Sequence, residues 1–181
     1  MSLDVAALSS CTRCRLSESR TRVVIGTGPT DAALVLVGEA PGRQEDEGGE
    51  PFIGRSGQLL FKLIEEVVGL TRAQCYVTNT VKCRPPANRV PARDELEACR
   101  PWLADQLADL SARVTLTLGL TAAREVLGAT LSMSAVHGRA RHLGAGTGIA
   151  TYHPAAALRD PALVAVMRAD LAIVRTLVEA P

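Results

Sequence analysis

The stretch that decides the fold class of this chain is Val35-Leu36-Val37-Gly38-Glu39-Ala40-Pro41-Gly42. A short apolar run that ends in a Gly/Pro turn is typical of a buried parallel strand that delivers a loop to the edge of an α/β sheet. Ligands of open sheets bind at this edge, outside the carboxyl ends of the strands. The loop continues to Gly57 and contains neither the dinucleotide fingerprint nor a Walker lysine. It therefore predicts a binding site without naming a reaction.

The rest of the chain alternates between strand and helix patterns. Strands are predicted at 23–25, 34–37, 76–81, 114–118, 139–143 and 149–152. Helices are predicted after an N-cap at Ser56 and again over 93–110, 121–127 and 161–178. Pro101 should kink or divide the second of these helices. Alternating elements predict an α/β three-layer sandwich around a mainly parallel sheet, formed as a single domain by residues 1–181.

Composition limits the class of protein. The 181 residues carry a formal net charge of +1 and 47% of them are hydrophobic, so a packed domain is expected rather than a disordered chain. A nucleic-acid partner would require the arginines to gather on one face. No stretch reaches the roughly 20 uncharged apolar residues of a membrane span, and residues 1–10 do not resemble a signal peptide. We therefore expect a cytoplasmic protein that does not bind membranes. We also predict that it is a monomer.

The five cysteines divide into one core candidate and four others. Cys75 lies in an apolar strand pattern, which is typical of a buried thiol. Cys11 and Cys14 form a C-x2-C pair in a polar segment, and Cys83 and Cys99 each precede an arginine. The spacing of these four leaves three interpretations open: scattered core thiols, a tetrahedral zinc site, or an iron–sulfur cluster. Disulfides are not expected in the cytoplasm.

His153 follows the last predicted strand and precedes a proline. A lone histidine at a strand end is most often a structural residue with satisfied hydrogen bonds. The functional alternative is that His153 lies at the same sheet edge as Gly38. The segment after it ends in Leu158 and Arg159. An apolar tip of this kind can wedge into a base stack while the arginine meets a phosphate.

Taken together, these motifs resemble the family 4 uracil-DNA glycosylases, over most of the chain from Cys11 to Arg159. The segments that carry the resemblance are Gly38-Glu39-Ala40-Pro41-Gly42, Pro51-Phe52-Ile53-Gly54, Asn79-Thr80-Val81-Lys82-Cys83-Arg84-Pro85-Pro86, Ala98-Cys99-Arg100-Pro101-Trp102-Leu103 and His153-Pro154. The resemblance implies a four-stranded parallel sheet flanked by helices. It also implies a structural [4Fe–4S] cluster on Cys11, Cys14, Cys83 and Cys99. The implied activity is hydrolysis of the N-glycosidic bond of uracil in single- or double-stranded DNA, which leaves an abasic site.

The same resemblance implies roles for individual residues. Phe52 would stack on the flipped uracil, and the Asn79 amide would read its Watson–Crick edge. His153 would donate a hydrogen bond to O2 as charge develops on the leaving base. Glu39 is the expected water activator. Further base contacts are expected from Gly38, Ala40, Gly42 and Asp46, and DNA contacts from Leu158 and Arg159.

Two positions depart from the pattern of better-known relatives. Ala40 stands where they carry an aspartate that activates water, and Gly42 stands where they carry a tyrosine that excludes thymine. The Glu45–Asp46 stretch or the loop backbone would then have to exclude the 5-methyl group. The alternatives left open are a non-catalytic or covalent uracil-DNA-binding protein, a redox carrier, and a glycosylase for other deaminated bases. The loop 84–91 lacks the histidine of the covalent group, so turnover is expected.

Overall fold

Five strands form one mixed sheet in the computed structural model, which describes residues 3–180. The strands are β1 (Leu34–Gly38), β2 (Cys75–Asn79), β3 (Val114–Leu118), β4 (Arg141–Leu143) and β5 (Gly146–Thr151). Their order is β2-β1-β3-β5-β4, with β4 antiparallel to β5 and the other pairs parallel. The mainly parallel sheet is confirmed. The expected count of four strands was one too low, because the hairpin strand β4 extends the parallel set at one edge.

Helices cover both faces of the sheet, which confirms the three-layer α/β architecture. They are α1 (Val5–Ser9), α2 (Arg43–Gly48), α3 (Arg55–Val67), α4 (Arg93–Ala108), α5 (Leu120–Leu127), α6 (Met133–Val136), α7 (Pro154–Ala157) and α8 (Ala162–Glu179). None of the helices between residues 3 and 180 combines the length and the apolar character needed to cross a membrane.

Strand β1 shows why the sheet is buried on both faces. Leu34 and Leu36 belong to the apolar core that contains residues of α3 and α8. Val35 and Val37 pack with residues of α4 and α5 on the opposite face. Alternation of side chains along the strand therefore supplies both cores, and a central parallel strand needs an apolar residue at every position.

Three local predictions were wrong. Residues 23–25 are not a strand: the Val24 N–H donates to the Lys82 carbonyl at 2.7 Å, but no ladder continues from it. Gly54, not Ser56, is the N-cap of α3, because the chain turns into the helix two residues earlier. Pro101 lies inside α4 and does not divide it. Tertiary packing on both sides of Pro101, through Cys99 and Trp102, outweighs the helix-breaking tendency of proline.

Glu95 ties the Pro-rich loop and the N-terminal segment to the start of α4. Its side chain is fully buried, and its carboxylate accepts hydrogen bonds from Arg89 at 2.6 and 2.8 Å and from Arg15 at 2.8 Å. It also accepts the Ala92 N–H at 2.7 Å. The hydrogen bonds from Arg89 are the main cause that lowers the pKa of Glu95 to about 2, and those from Arg15 add to them. One carboxylate therefore ties the short 3-10 helix that begins at Arg15, and the loop that contains Arg89, to the start of α4.

We predict that Glu95→Gln lowers the midpoint of thermal unfolding by roughly 4 °C at pH 7, because a buried carboxylate with several donors is replaced by a neutral amide. The folded pKa is depressed from 4.5 to about 2, so the stabilisation is complete above pH 4.5 and is lost as the pH falls toward 2. The difference between the two proteins should therefore shrink over that window. Differential scanning calorimetry from pH 7 to pH 3 measures it.

Glu97→Gln is the matched control, because Glu97 lies on the same helix but is 47% exposed. A Glu95→Gln protein as stable as this control at pH 7 would contradict the role of Glu95.

Candidate active site

A cavity of about 710 Å³ lies at the carboxyl edge of the sheet. The loop after β1, the end of β2 and the segment after β5 all contribute to its walls. Among its lining residues are Glu39, Phe52, Asn79 and His153. The structure thus brings together four residues that the sequence predicted from four separate segments.

Gly38 and Asn79 are paired across the parallel strands β1 and β2. The Thr80 N–H donates to the Gly38 carbonyl at 2.9 Å and closes this end of the pair. A Cβ atom on Gly38 would lie 2.4 Å from Asn79 Oδ1 and 2.5 Å from the Phe52 ring. Glycine is therefore required here, because any side chain would displace the two groups that form this wall of the cavity.

Asn79 carries a buried acceptor without a partner. Only 1% of the residue is exposed, and Oδ1 is the one buried side-chain nitrogen or oxygen atom of residues 3–180 that makes no hydrogen bond. A buried polar atom without a partner costs ~1–3 kcal/mol. Such an atom in the wall of a cavity is available to accept a hydrogen bond from a molecule bound there.

Phe52 is held in a strained backbone conformation beside this acceptor. Its φ angle is +55°, which is unfavourable for a bulky residue, and only 6% of it is exposed. Arg72 holds the turn by donating to the carbonyls of Phe52 at 3.2 Å and Pro51 at 2.5 Å. A Cβ on Gly57 would lie 1.8 Å from the Phe52 carbonyl oxygen, so the start of α3 must approach this turn closely.

His153 faces the same space, with its ring centroid 5.8 Å from that of Phe52. Its Nδ1 accepts the Ala155 N–H at 3.2 Å, so in the neutral ring the proton is carried by Nε2. Burial lowers the pKa of His153 to about 4, and the nearby positive charge of Arg159 lowers it further. His153 is therefore a neutral imidazole at physiological pH, with Nε2–H as its donor.

A buried carboxylate on α8 fixes the strand that leads to His153. Asp170 accepts the Thr151 hydroxyl at 2.7 Å and lies 3.0 Å from His137 Nδ1. The His137 ring in turn lies 5.2 Å from the ring of Tyr152. These contacts hold the two residues before His153 between α8 and the segment that contains His137.

Glu39 and Ala40 begin the loop after β1. Glu39 Oε2 accepts the Thr121 hydroxyl at 2.6 Å, and its main-chain carbonyl accepts the Thr80 hydroxyl at 2.6 Å. Ala40 packs against the apolar cluster that contains Cys83 and Cys99. Both residues line the cavity, so they are placed at the predicted site.

Glu45 lies in the cavity wall, whereas Asp46 does not. A Cβ on Gly42 would be 2.7 Å from Glu45 Oε2, and Glu45 Oε1 accepts the Gly54 N–H at 2.8 Å. Asp46 instead accepts the Thr21 N–H at 2.9 Å and anchors the N-terminal segment. The expectation that Asp46 contacts the base is therefore corrected. Neighbouring residues of α2 point about 100° apart, and here Glu45 faces the cavity whereas Asp46 faces Thr21.

The residues expected to contact DNA lie beside this cavity. Leu158 is 41% exposed at the end of α7, and Arg159 lines the cavity. Arg89 and Arg124 line it as well. Three arginines therefore lie at the cavity, and one of them, Arg89, is paired with Glu95.

A second, small cavity is surrounded by four of the five cysteines, which are Cys11, Cys14, Cys83 and Cys99. They come from three separate segments, and all five cysteines of the chain are free. Arg20 donates to Cys83 Sγ at 3.3 Å, and the Trp102 indole N–H donates to Cys11 Sγ at 3.3 Å. Donors aimed at sulfur favour thiolates that ligate a metal.

Four thiols around one cavity are the residue type that ligates an iron–sulfur cluster. Within residues 3–180, no three His, Cys, Asp or Glu side chains are close enough together to hold one metal ion. The ligands of an iron–sulfur cubane bind four different irons, so they surround a larger volume than the ligands of one zinc ion. Burial raises the pKa of Cys83 to about 11, so a bound metal would have to replace the thiol proton.

Comparison with known proteins identifies the family. The profile of the Uracil DNA glycosylase superfamily matches residues 25–172 of this chain. The chain belongs to this superfamily. It is 39% identical to the Type-4 uracil-DNA glycosylase of Sulfurisphaera tokodaii, over 95% of this chain and 82% of that protein. It is 41% identical to the Type-4 uracil-DNA glycosylase of Pyrobaculum aerophilum, over 92% of this chain and 88% of that protein.

A second Pyrobaculum aerophilum relative separates the types within the superfamily. The chain is 32% identical to its Type-5 uracil-DNA glycosylase, over 70% of this chain and 63% of that protein. Both identity and coverage are lower than for the Type-4 relative of the same organism. The resemblance to family 4 of the uracil-DNA glycosylases is therefore confirmed.

We predict that His153 stays neutral, with the proton on Nε2, until the pH falls to about 4. Burial disfavours the charged ring, and the Ala155 N–H occupies the lone pair of Nδ1. Because the unfolded chain takes up this proton near pH 6.5, His153 should also make folding less favourable as the pH falls from 6.5 toward 4. Nitrogen-15 NMR of the three histidines, with His153→Ala for assignment, measures both tautomer and titration. Titration of His153 near 6.5 would contradict this assignment.

Proposed function

We propose that this chain is a monofunctional uracil-DNA glycosylase that acts in base-excision repair in the cytoplasm, as a monomer of one domain. The observation that carries the proposal is the buried Asn79 Oδ1 without a partner, beside Phe52 and opposite His153. A uracil base supplies the missing donor from its N3–H. Membership of the superfamily and the names of the Type-4 relatives support the same substrate.

The base is recognised by stacking and by hydrogen bonds to its Watson–Crick edge. The target nucleotide leaves the DNA stack and its base lies against the Phe52 ring. Asn79 Oδ1 accepts from uracil N3–H, and the amide nitrogen donates to O4. Cytosine presents an acceptor at N3 and a donor at C4, so it would leave Asn79 buried and unpaired. Uracil is therefore selected by the cost of the wrong pairing.

Cleavage depends on stabilising the departing base. The glycosidic bond breaks through an oxocarbenium-like sugar, and negative charge develops on uracil O2. The neutral His153 donates from Nε2 to this oxygen, and N–H groups of the loop Gly38–Gly42 add further donors. Glu39, which Thr121 orients, takes a proton from the water that adds to the sugar. The products are free uracil and an abasic site.

Strand cleavage is not part of the proposed reaction. A glycosylase that also cuts DNA uses an amine as a nucleophile. The chain has two lysines, and neither Lys62, on the outside of α3, nor the buried Lys82 lines the cavity. The abasic product should therefore need alkali to break.

DNA is bound through the segment after His153. Leu158 enters the space that the flipped nucleotide leaves, and Arg159 contacts a neighbouring phosphate. Both single- and double-stranded uracil-containing DNA are substrates in this proposal. Duplex DNA should be the poorer substrate, because the tip carries only one large apolar side chain that can act as a wedge.

The cofactor that we propose is a [4Fe–4S] cluster on Cys11, Cys14, Cys83 and Cys99. The hydrogen bonds from Arg20 and Trp102 to two of the sulfurs support it. When bound, the cluster supplies structural cross-links rather than a reaction step. Its ligands would cross-link the N-terminal segment, the segment that follows β2, and α4. No disulfide cross-links these three parts of the chain.

Excision from an end-labelled oligonucleotide with one uracil tests the proposed function. We expect cleavage only after alkali, on single-stranded substrate and opposite guanine. His153→Ala and Asn79→Ala should each lower the single-turnover rate by about 10²- to 10³-fold, as removal of a transition-state donor does. His142→Ala is the matched control and should retain the full rate, because His142 is exposed on the edge strand β4.

No excision by cluster-loaded protein would exclude the uracil reaction. Excision of other deaminated bases, or tight binding without product, would then identify which alternative holds.

Thymine exclusion depends on Glu45 in this proposal. Its carboxylate fills the space next to Gly42, the position at which relatives carry an excluding tyrosine. Glu45→Ala should open that space and raise thymine excision relative to uracil excision by about 10- to 100-fold. Glu45→Gln keeps the volume and should keep the discrimination. Competition between thymine- and uracil-containing oligonucleotides measures the ratio, and an unchanged ratio in an active Glu45→Ala protein would contradict the assignment.

A further inference from the structure

Lys82 is a fully buried lysine that makes no ion pair with a carboxylate. Only 1% of it is exposed, and its Nζ donates to two neutral oxygens, Thr78 Oγ1 and the main-chain carbonyl of Asn79, both at 2.7 Å. None of the ion pairs found among residues 3–180 includes it. Burial lowers the pKa of Lys82, so its ammonium form is costly unless negative charge lies nearby.

The four cysteines could supply the negative charge that balances the Lys82 ammonium. Lys82 lines the small cavity with the four cysteines, and no acidic residue lines that cavity. Cys99 lines the same cavity as Lys82, and Cys83 is the next residue in the chain. The four thiolates of a ligated iron–sulfur cluster would add negative charge to this cavity, which Arg13 and Arg20 line together with Lys82. The cluster that we propose therefore supplies the partner that the ammonium lacks.

Lys82 also contacts Asn79, the residue that is proposed to recognise the base. The Asn79 carbonyl lies at the end of β2 and accepts a hydrogen bond from Nζ of Lys82, which is three residues further along the chain. Ala40 shows the same proximity, because it lines the active-site cavity and also packs against the apolar cluster of Cys83 and Cys99. The two sites are thus separated by a single layer of residues.

We propose that Lys82 is a positioning residue that joins the two sites: its ammonium, balanced by the cluster thiolates, holds the Asn79 backbone and thereby fixes the amide that reads uracil. The inference rests on the proposed function and on the proposed cluster. It assigns to the cluster a consequence for base recognition besides cross-linking. A displacement of about 1 Å in a group that orients substrate can cost ~100-fold in rate, so a backbone anchor of this kind is sufficient to matter.

Three variants test the role of Lys82. Lys82→Met removes both charge and donor, Lys82→Gln keeps a donor without charge, and Lys62→Met is the matched control on the only other lysine, whose side chain is 69% exposed. The measurements are kcat/KM for uracil excision, the inhibition constant of free uracil, and the reduction potential of the bound cluster.

We expect Lys82→Met to lower kcat/KM by about 10- to 100-fold and to weaken inhibition by uracil. The cluster potential should become more negative, because loss of a nearby positive charge disfavours the more negative, reduced cluster. Lys82→Gln should recover part of the uracil affinity through its amide donor but keep the shifted potential. Lys62→Met should change none of the three quantities.

Either of two results would overturn the inference: wild-type uracil inhibition in cluster-loaded Lys82→Met, or a reduction potential that both Lys82 variants leave unchanged. If Lys82→Met fails to fold, the inference is tested on Lys82→Gln alone. That protein must show a shifted reduction potential of the cluster together with a partly retained affinity for uracil. Failure of the proposed function is distinguishable, because wild-type protein would then excise no uracil. Normal wild-type excision with an unaffected Lys82→Met contradicts only the role of Lys82.

Discussion

The close pairing of Gly38 with Asn79 across β1 and β2 is the constraint on which the rest of the site depends. It places the loop that follows one strand directly beside the amide that ends the next, at the edge of the sheet where all parallel strands finish. The absence of a side chain at Gly38 lets Asn79 Oδ1 and the Phe52 ring meet over it. The cost is an acceptor left without a partner and a phenylalanine in a strained turn. Contacts with a bound base would offset both costs in the proposed function, and strain and unpaired groups are concentrated at binding sites in general.

A second consequence follows from what comes after Asn79 in the chain. Lys82 and Cys83 are only three and four residues further on, so the base-reading amide and the proposed cluster share one short segment. Residues 3–22 contribute little apolar burial to hold them against this region, because Leu8 and Leu16 are the only buried apolar side chains described among them. Glu95, Asp46 and the cysteines supply the anchors that this segment lacks. The proposed cluster therefore belongs to the architecture of the active site rather than to a separate module.

The features that could be predicted from sequence are those that follow from local pattern. An apolar run ending in a Gly/Pro turn located the sheet edge, whereas the roles of Phe52, Asn79 and His153 at that edge came from the resemblance to family 4. The distinction between Glu45 and Asp46 could not be predicted, because it depends on the phase of a six-residue helix that follows a glycine-rich turn. The unpartnered oxygen of Asn79 and the contacts of Lys82 arise from packing between distant segments, which no local pattern records. The unbroken helix through Pro101 likewise reflects tertiary contacts.

The measurement that tests the central claim most directly is equilibrium binding of free uracil and of 3-methyluracil to the cluster-loaded protein. The two bases differ at the one atom that Asn79 Oδ1 is proposed to satisfy. The account predicts that uracil binds and that 3-methyluracil binds at least about 10-fold more weakly, because the methyl group removes the donor and leaves the buried oxygen unpaired. In Asn79→Ala the difference should disappear. Equal binding of the two bases by the unaltered protein would contradict the account, because the unpartnered oxygen would then have no part in reading the base.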